Sequence, residues 1–162
     1  MPTNARAQLE KIVLNAGIGR MSGQPHFGDK LLPAAIDEFA LIAGQKPAPR
    51  PARQSIAGFK MREGTIVGLK ATLRGNRMAA FLEKLVAIVL PRLRDFRGID
   101  PASIDRSGTL TIGLKDHTVF SEVSPENARS SFGIEITLVP HRVKSRVEAI
   151  ELYRALGVPL KK

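Results

Sequence analysis

Four short segments of the chain alternate apolar and polar residues, and this pattern constrains the fold more than any other feature. The segments are residues 10–17, 65–74, 109–115 and 132–138. Because successive side chains of a strand point to opposite faces, each segment predicts a strand with one apolar side. Such strands are typical of an antiparallel sheet that is covered on one face only.

Three further segments have the periodicity of helices: residues 29–43, 76–90 and 145–156. Apolar residues recur in them every three or four positions, and the last one opens on an S-x-x-E capping box at Ser145. We therefore predict an α+β fold, a two-layer arrangement of a mostly antiparallel sheet with helices on one face and an open polar face. The length of 162 residues suits one domain over 1–162, with a projecting basic loop at about 50–64.

The helix boundaries rest on particular residues. Asn76 is a good N-cap for the second helix, which we expect to stop before Pro91. In the first helix, Asp37 and Glu38 are neighbours that point about 100° apart, so they do not form a carboxylate pair. Both are assigned to a solvated face.

Positive charge is concentrated in residues 44–98. This segment has twelve basic and three acidic residues, a net +9 out of +10 for the whole chain. A partner lined with phosphates is favoured, because each neutralised phosphate releases a condensed counterion. A membrane would also attract this charge, but no apolar run approaches the roughly 20 residues of a spanning helix. With an N-terminus unlike a signal peptide, we expect a cytoplasmic protein.

Several classes of site are disfavoured. The absence of cysteine excludes disulfides and thiolate zinc sites, and His26, His117 and His141 are too far apart in sequence to suggest a metal. We expect no cofactor. The glycines of the segment 17–23 follow a strand, but their G-x-G-x-x-x-G spacing is one residue longer than a dinucleotide fingerprint, and a flexible turn is the preferred interpretation.

An RNA-processing enzyme is the alternative from another class. It would use His117 with Asp116 or Glu122, yet no nucleophile, metal spacing or carboxylate pair supports it. We predict that the protein is not an enzyme. Regulation through binding of its own messenger RNA is a third hypothesis, on which the sequence is silent.

Residues 45–64 predict an edge strand and a projecting loop. Prolines at 47, 49 and 51 keep the backbone extended, and the glycine-flanked tip carries Phe59, Lys60, Met61 and Arg62. Apolar side chains interleaved with cations suit contact with RNA bases, sugars and phosphates. The alternative for Phe59 is a place in the core at the base of the loop.

The outward sides of the predicted strands form a hydrogen-bonding surface. It consists of Asn15, Lys70, Thr72, Arg74, Thr109 and Thr111. Without aromatic residues it suits the backbone and groove edges of a structured RNA better than stacked single-stranded bases; the alternative is a solvated face. Further along, Arg92, Arg94 and Arg97 either bind phosphates or form an ion-pair cluster with Asp95.

Longer motifs resemble one family. LEKIVLNAGIG, GQKP, GFK-x-R-x-G, TLRG-x-R-M, RDFRG and SSFGIEITLVP are similar to those of bacterial large-subunit ribosomal protein number five, across nearly the whole chain. The resemblance implies a structural constituent of the large ribosomal subunit that binds 5S rRNA in the central protuberance. It also implies a loop that reaches toward 23S rRNA and the elbow of the peptidyl-site tRNA, neighbouring large-subunit proteins, and a bridge to a small-subunit head protein.

The resemblance and the concentration of positive charge in residues 44–98 together give the candidate contacts. The motifs imply a tRNA-facing role for Phe59, Lys60 and Arg62, which Met61 joins as part of the tip. The expected RNA-binding residues are Asn15, Gln45, Lys46, Arg50, Arg53, Lys70, Thr72, Arg74, Arg77, Arg92, Arg94 and Arg97. The chain begins almost at its first strand, where the usual bacterial pattern has a helical N-terminal extension, and residues 116–131, expected to be an exposed loop, match the family weakly.

Overall fold

The computed structural model describes residues 5–162, except for the side chains of residues 5, 6 and 59. The helices are α1 (Ala5–Gln8), α2 (Leu32–Ala43), α3 (Gly75–Lys84), α4 (Leu90–Arg92) and α5 (Arg146–Ala155). The strands are β1 (Leu9–Gly17), β2 (Ala48–Pro51), β3 (Ile66–Leu73), β4 (Leu110–Leu114) and β5 (Ile134–Pro140). Single turns of 3₁₀ or π helix connect several of them.

The five strands form one antiparallel sheet in the order β2-β3-β1-β5-β4, which confirms the α+β fold. The predicted alternation is also observed. In β4, for example, Leu110, Ile112 and Leu114 are buried while Thr111 and Gly113 are exposed. Strand β1 departs from strict alternation at its start, where the buried residues Leu9 and Ile12 are three positions apart.

The chain divides into two compact units, each with its own buried residues. The loop unit comprises Leu14–Ala71 and Leu114–Ile134, and the terminal unit comprises residues 5–13, Thr72–Gly113 and Glu135–Lys162. The largest fully buried side chains of the loop unit are Phe39, Phe120, Leu14, Ile18, Ile42 and Leu69. Those of the terminal unit are Tyr153, Ile12, Leu73, Met78, Leu82 and Leu85.

Helix α2 follows the prediction at its C-terminus but not along its whole surface. Gly44 ends it with φ of +74° and an N–H bond to the carbonyl of Ala40, as expected of a glycine cap. The assignment of Glu38 to a solvated face is wrong, since this side chain is only 5% exposed. Asp37 is exposed as predicted.

The second predicted helix differs at both ends. It begins at Gly75, whose φ of +62° turns the chain directly out of β3, so Asn76 falls in the first turn and Arg74 takes the cap position. It also does not stop before Pro91. A π turn over Leu85–Val89 leads into α4, and this wider turn lets the helix pass the proline ring.

Helix α5 is held at its start and by one buried tyrosine. Ser145 accepts a hydrogen bond from the N–H of Glu148 (3.2 Å), which confirms the Ser145 half of the capping box. The Glu148 carboxylate accepts instead from the N–H of Lys144 (2.9 Å), one residue before the cap. Farther along, the Tyr153 hydroxyl lies 2.6 Å from the carbonyl oxygen of Gly108 and 2.9 Å from that of Leu138. Burial raises the pKa of this hydroxyl, which therefore stays protonated and acts as the donor.

Candidate nucleic-acid interface

Strand β2 lies at the edge of the sheet and places the basic side chain of Arg50 beside β3. In the antiparallel register Arg50 pairs with Gly68, and Ala48 pairs with Lys70. A Cβ atom on Gly68 would lie 3.6 Å from the Arg50 Cβ, which is an ordinary contact distance, so Arg50 lies directly beside this glycine. Lys70 is half-buried and lies on the side of β3 opposite the buried Leu69. Arg50 and Lys70 thus occupy one face of the loop unit.

The following segment, residues 53–63, is a hairpin loop braced by its own hydrogen bonds. Ile56 and Met61 exchange two backbone bonds of 2.9 and 3.1 Å, and the N–H of Glu63 donates to Ser55 Oγ (2.9 Å). At the base, the N–H of Ala52 donates to the carbonyl of Thr65 (2.8 Å). These bonds fix the loop locally without a large buried core.

The tip of this loop presents cations to solvent. Lys60 and Arg62 are exposed, as is Arg53 at the start of the loop. Lys60 has a left-handed backbone conformation, with φ of +51°. Met61 is half-buried, with its methyl group next to Gly19. The side chain of Phe59 lies outside the described residues.

Three more expected contacts belong to the loop unit. Asn15 is half-buried on the outward side of β1, between the buried Leu14 and Ala16. Gln45 is half-buried and Lys46 exposed, both directly after the Gly44 cap of α2. The loop unit therefore holds Asn15, Gln45, Lys46, Arg50, Arg53, Lys70 and the loop tip.

The remaining expected contacts belong to the terminal unit. Thr72 is half-buried near the end of β3, and Arg74 and Arg77 are exposed at and just after the start of α3. Thr109 and Thr111 lie at β4, half-buried and exposed respectively. One hydroxyl and two guanidinium groups therefore lie within six residues of each other in sequence, where β3 leads into α3.

The arginines after α4 are also exposed. Arg92, Arg94 and Arg97 all face solvent, and Asp95 adopts a left-handed turn with φ of +57°. Within residues 5–162 no salt bridge joins Asp95 to any of these three arginines. The ion-pair alternative is therefore unsupported, and the arginines are available for phosphates. Of all twelve basic residues in the charged segment, ten are exposed and two half-buried.

A buried, hydrogen-bonded carboxylate, which sequence reasoning missed, also belongs to the loop unit. Glu38 accepts hydrogen bonds from His117 Nε2 (2.8 Å), the N–H of Arg129 (2.6 Å) and the hydroxyl of Ser130. We call this set the Glu38 clasp. It fastens the segment between β4 and β5 to α2. The expectation of an exposed loop over 116–131 is wrong at His117 and Phe120, which are both fully buried.

The hydrogen bonds of the clasp keep the buried Glu38 carboxylate ionised. Burial alone would raise the pKa of Glu38, but the bonds from Ser130, Arg129 and His117 outweigh it and leave this pKa below its ordinary value. An ionised carboxylate only accepts hydrogen bonds, so His117 Nε2 carries the hydrogen. Asp116 lies 3.4 Å from His117 Nδ1, and that nitrogen has no hydrogen-bond partner among the described residues.

The burial of Glu38, but not its partners, could have been predicted from one spacing. Glu38 is four residues from both Ala34 and Ile42, which are buried on α2, and so falls on the apolar side of the helix. Its partners gave no such signal, because they lie 79 to 92 residues away in sequence. The imidazole is fully buried, so this histidine is not placed for the catalysis considered for it with Asp116 or Glu122.

Residues 5–162 contain neither a metal-binding cluster nor a membrane-spanning helix. No group of three or more histidine, cysteine, aspartate or glutamate side chains is arranged to hold a metal ion. None of the helices in this part of the chain has the length and apolar character needed to cross a membrane.

Comparison with known sequences decides the family. The profile described as "Ribosomal protein L5" matches residues 4–62, and the profile for the C-terminus of the same ribosomal family matches residues 66–160. The chain belongs to the L5 family of ribosomal proteins. This membership makes it a structural component of the cytoplasmic ribosome and not an enzyme, as predicted.

Individual relatives cover most of the chain. It is 42% identical over 152 residues to the "Large ribosomal subunit protein uL5" of Halothermothrix orenii, an alignment spanning 94% of this chain and 82% of that protein. It is 44% identical over 153 residues to the protein of that name from Rubrobacter xylanophilus (94% and 82%). With that of Limosilactobacillus fermentum it shares 44% identity over 158 residues (98% and 85%).

Proposed function

We propose that this protein is a constituent of the large ribosomal subunit that binds 5S rRNA. The observation that carries the proposal is the exposure of the charged segment: none of its twelve basic side chains is buried, in a chain whose family is ribosomal. Cations that remain in solvent can neutralise phosphates and release counterions. The remaining charge of the chain is nearly balanced, so this segment dominates its electrostatic field.

The chemistry of the outward strand residues supports a structured RNA. Asn15, Thr72 and Thr111 offer small amide and hydroxyl groups, which reach 2′-hydroxyls and phosphate oxygens without splaying bases apart. Arg74 and Arg77 add guanidinium forks at the start of α3. We assign 5S rRNA to these surfaces on the resemblance of the surrounding motifs to the family.

The hairpin loop has a separate role in this proposal. Its own hydrogen bonds brace it, and Lys60 and Arg62 are exposed at its tip. We assign this tip to 23S rRNA and to the elbow of the peptidyl-site tRNA. Neighbouring large-subunit proteins and a bridge to a small-subunit head protein complete the proposed partners, without assignment to particular residues.

A neutralisation experiment tests the proposal. Replacing Arg92, Arg94 and Arg97 together by glutamine removes three exposed charges, so affinity for 5S rRNA should fall. The slope of the logarithm of the association constant against the logarithm of the salt concentration should become shallower by about 2 to 3. A matched control replaces three exposed cations outside the segment by glutamine: Lys144, Arg154 and Lys162. Equal losses in both triple variants would mean that only total charge matters, and would overturn the assignment to this segment.

A further inference from the structure

A cavity of about 590 Å³ lies within the loop unit, where β1 ends. Its apolar lining comes from Met21, Met61 and Phe132, and Gly17, Gly19 and Gly133 supply walls without side chains. Small-molecule sites commonly occupy about 300 to 1,000 Å³, so this space is large enough for one planar ring with its sugar. Methionine sulfur makes favourable contacts with such rings.

Neighbouring contacts hold the walls of the cavity in place. Beside Gly19, the N–H of Ile18 donates to the carbonyl of Val67 (2.9 Å). On the opposite wall the ring of Phe132 stacks on buried His117, with centroids 4.0 Å apart. Gly133 approaches the backbone so closely that a Cβ atom there would lie 2.9 Å from the carbonyl oxygen of Leu114. The cavity is therefore preformed, which lowers the entropic cost of binding.

Both charged residues that line the cavity are basic. Arg20 and Lys115 line it, both side chains are exposed, and none of the lining residues is acidic. An apolar interior with two cations matches a ligand that carries a ring at one end and an anion at the other. A nucleotide has this form, with its base as the ring and its phosphate as the anion.

We propose that this cavity binds a single nucleotide of an RNA strand, turned out of its helix. The base lies against the methionines and Phe132, and the adjoining phosphate lies at Arg20 and Lys115. The inference rests on the proposed RNA-binding function and adds to it a contact that reads an unstacked base. A dinucleotide cofactor does not fit, because β1 leads into a single 3₁₀ turn, Met21–Gly23, and not into a long helix whose N-terminus could hold a pyrophosphate.

One glycine of the cavity lining, Gly17, can take a larger side chain without a clash at its Cβ atom. A Cβ atom on Gly17 would meet nothing within 4 Å, and this residue does not have a positive φ. Gly17→Leu therefore adds a side chain in open space at a residue that lines the cavity. Gly28→Leu is the matched control, since Gly28 is equally unobstructed but does not line the cavity. Circular dichroism melting shows whether both variants fold.

The measurement is the affinity of wild type and both variants for 5S rRNA. We expect Gly17→Leu to weaken binding roughly tenfold or more, the loss typical of one stacked base, while Gly28→Leu matches wild type. Unchanged binding by a folded Gly17→Leu would overturn the inference and leave the proposed function intact. If Gly17→Leu does not fold, the double variant Arg20→Gln, Lys115→Gln replaces it, with Lys30→Gln, Lys144→Gln as its control and the same two outcomes.

A failure of the proposed function would look different. In that case wild type itself would not select 5S rRNA, and the cavity is then tested with a mixed single-stranded tetraribonucleotide and a free nucleoside monophosphate. Shifts of the Gly17, Gly19 and Gly133 amide resonances with the tetranucleotide, absent in Gly17→Leu, would support the cavity as an RNA site. Shifts with the free monophosphate alone, or with neither probe, would overturn it.

Discussion

Removing the carboxylate of the Glu38 clasp should destabilise the protein substantially. Glu38→Ala leaves three donors without their acceptor: the imidazole of His117, the backbone of Arg129 and the hydroxyl of Ser130. Arg129 is exposed and Ser130 half-buried, so water can replace the carboxylate there. His117 is fully buried and bears the whole penalty of a lost partner. Together these losses predict a decrease of about 3 to 4 kcal/mol in the free energy of unfolding.

Chemical denaturation at neutral pH measures this effect, and the adjacent residue provides the control. Asp37 is exposed, and its ion pair with Arg129 is 3.5 Å long between two exposed groups. Asp37→Ala should therefore change the free energy of unfolding by less than about 0.5 kcal/mol. Glu38→Gln keeps an acceptor oxygen and should lose only about half as much as Glu38→Ala.

The same variants should show a defined pH dependence. The folded-state pKa of Glu38 is below its ordinary value of 4.5, so its contribution is complete above pH 4.5 and is lost as the pH falls through the folded-state pKa. The difference in stability between wild type and Glu38→Gln should therefore shrink below pH 4.5. The exposed Asp37–Arg129 pair and the Asp116 carboxylate are present in both proteins, so they should contribute little to this difference.

Two results would refute the reasoning. A loss below about 1 kcal/mol for Glu38→Ala would show that the clasp contributes little net stability. A difference between wild type and Glu38→Gln that grows on acidification would mean that the pKa of Glu38 is raised by burial instead of lowered by its hydrogen bonds.

The remaining predictions concern one buried hydroxyl and the proposed RNA contacts. Tyr153→Phe leaves the carbonyl of Gly108 without its 2.6 Å donor and should cost about 1 to 2 kcal/mol of unfolding free energy; no change in thermal melting would contradict this. Thr72→Val keeps the side-chain shape and should weaken 5S rRNA binding by about 1 to 3 kcal/mol if the hydroxyl contacts RNA, whereas equal affinity in a filter-binding assay would exclude that contact. Lys60→Ala with Arg62→Ala should leave 5S affinity largely intact and weaken peptidyl-site tRNA binding to assembled ribosomes; an equal loss of 5S binding would move the loop to the 5S surface.

Most of the sheet was predictable because its residues carry a local signal. Strand β4 shows why: three aliphatic residues alternate with Thr111 and Gly113, and burial follows this alternation. The edge position of β2 followed from its prolines, which cannot donate to a second neighbouring strand. The start of α3 did not follow, because the positive φ of Gly75 moved the helix start ahead of the better capping residue Asn76.

Contacts between residues far apart in the chain could not be predicted from the sequence. The spacing of Glu38 from Ala34 and Ile42 places it on the apolar side of α2, but nothing local marks His117 as its partner. The cavity is a similar case, because Gly17 and Gly133 are far apart in the chain and only the fold brings them to one space. By contrast, the exposure expected of Lys60 and Arg62 at the loop tip is observed, since charged side chains are seldom buried without partners.

Titration of the purified protein with 5S rRNA at two salt concentrations tests the central claim most directly. Transfer RNA and a random-sequence RNA of the same length as 5S rRNA serve as competitors. The proposed function predicts selective 5S binding that weakens with salt but persists at the higher concentration, because base-edge and hydroxyl contacts add to the charge of residues 44–98. Binding that is equal for all three RNAs and disappears at the higher salt would contradict it.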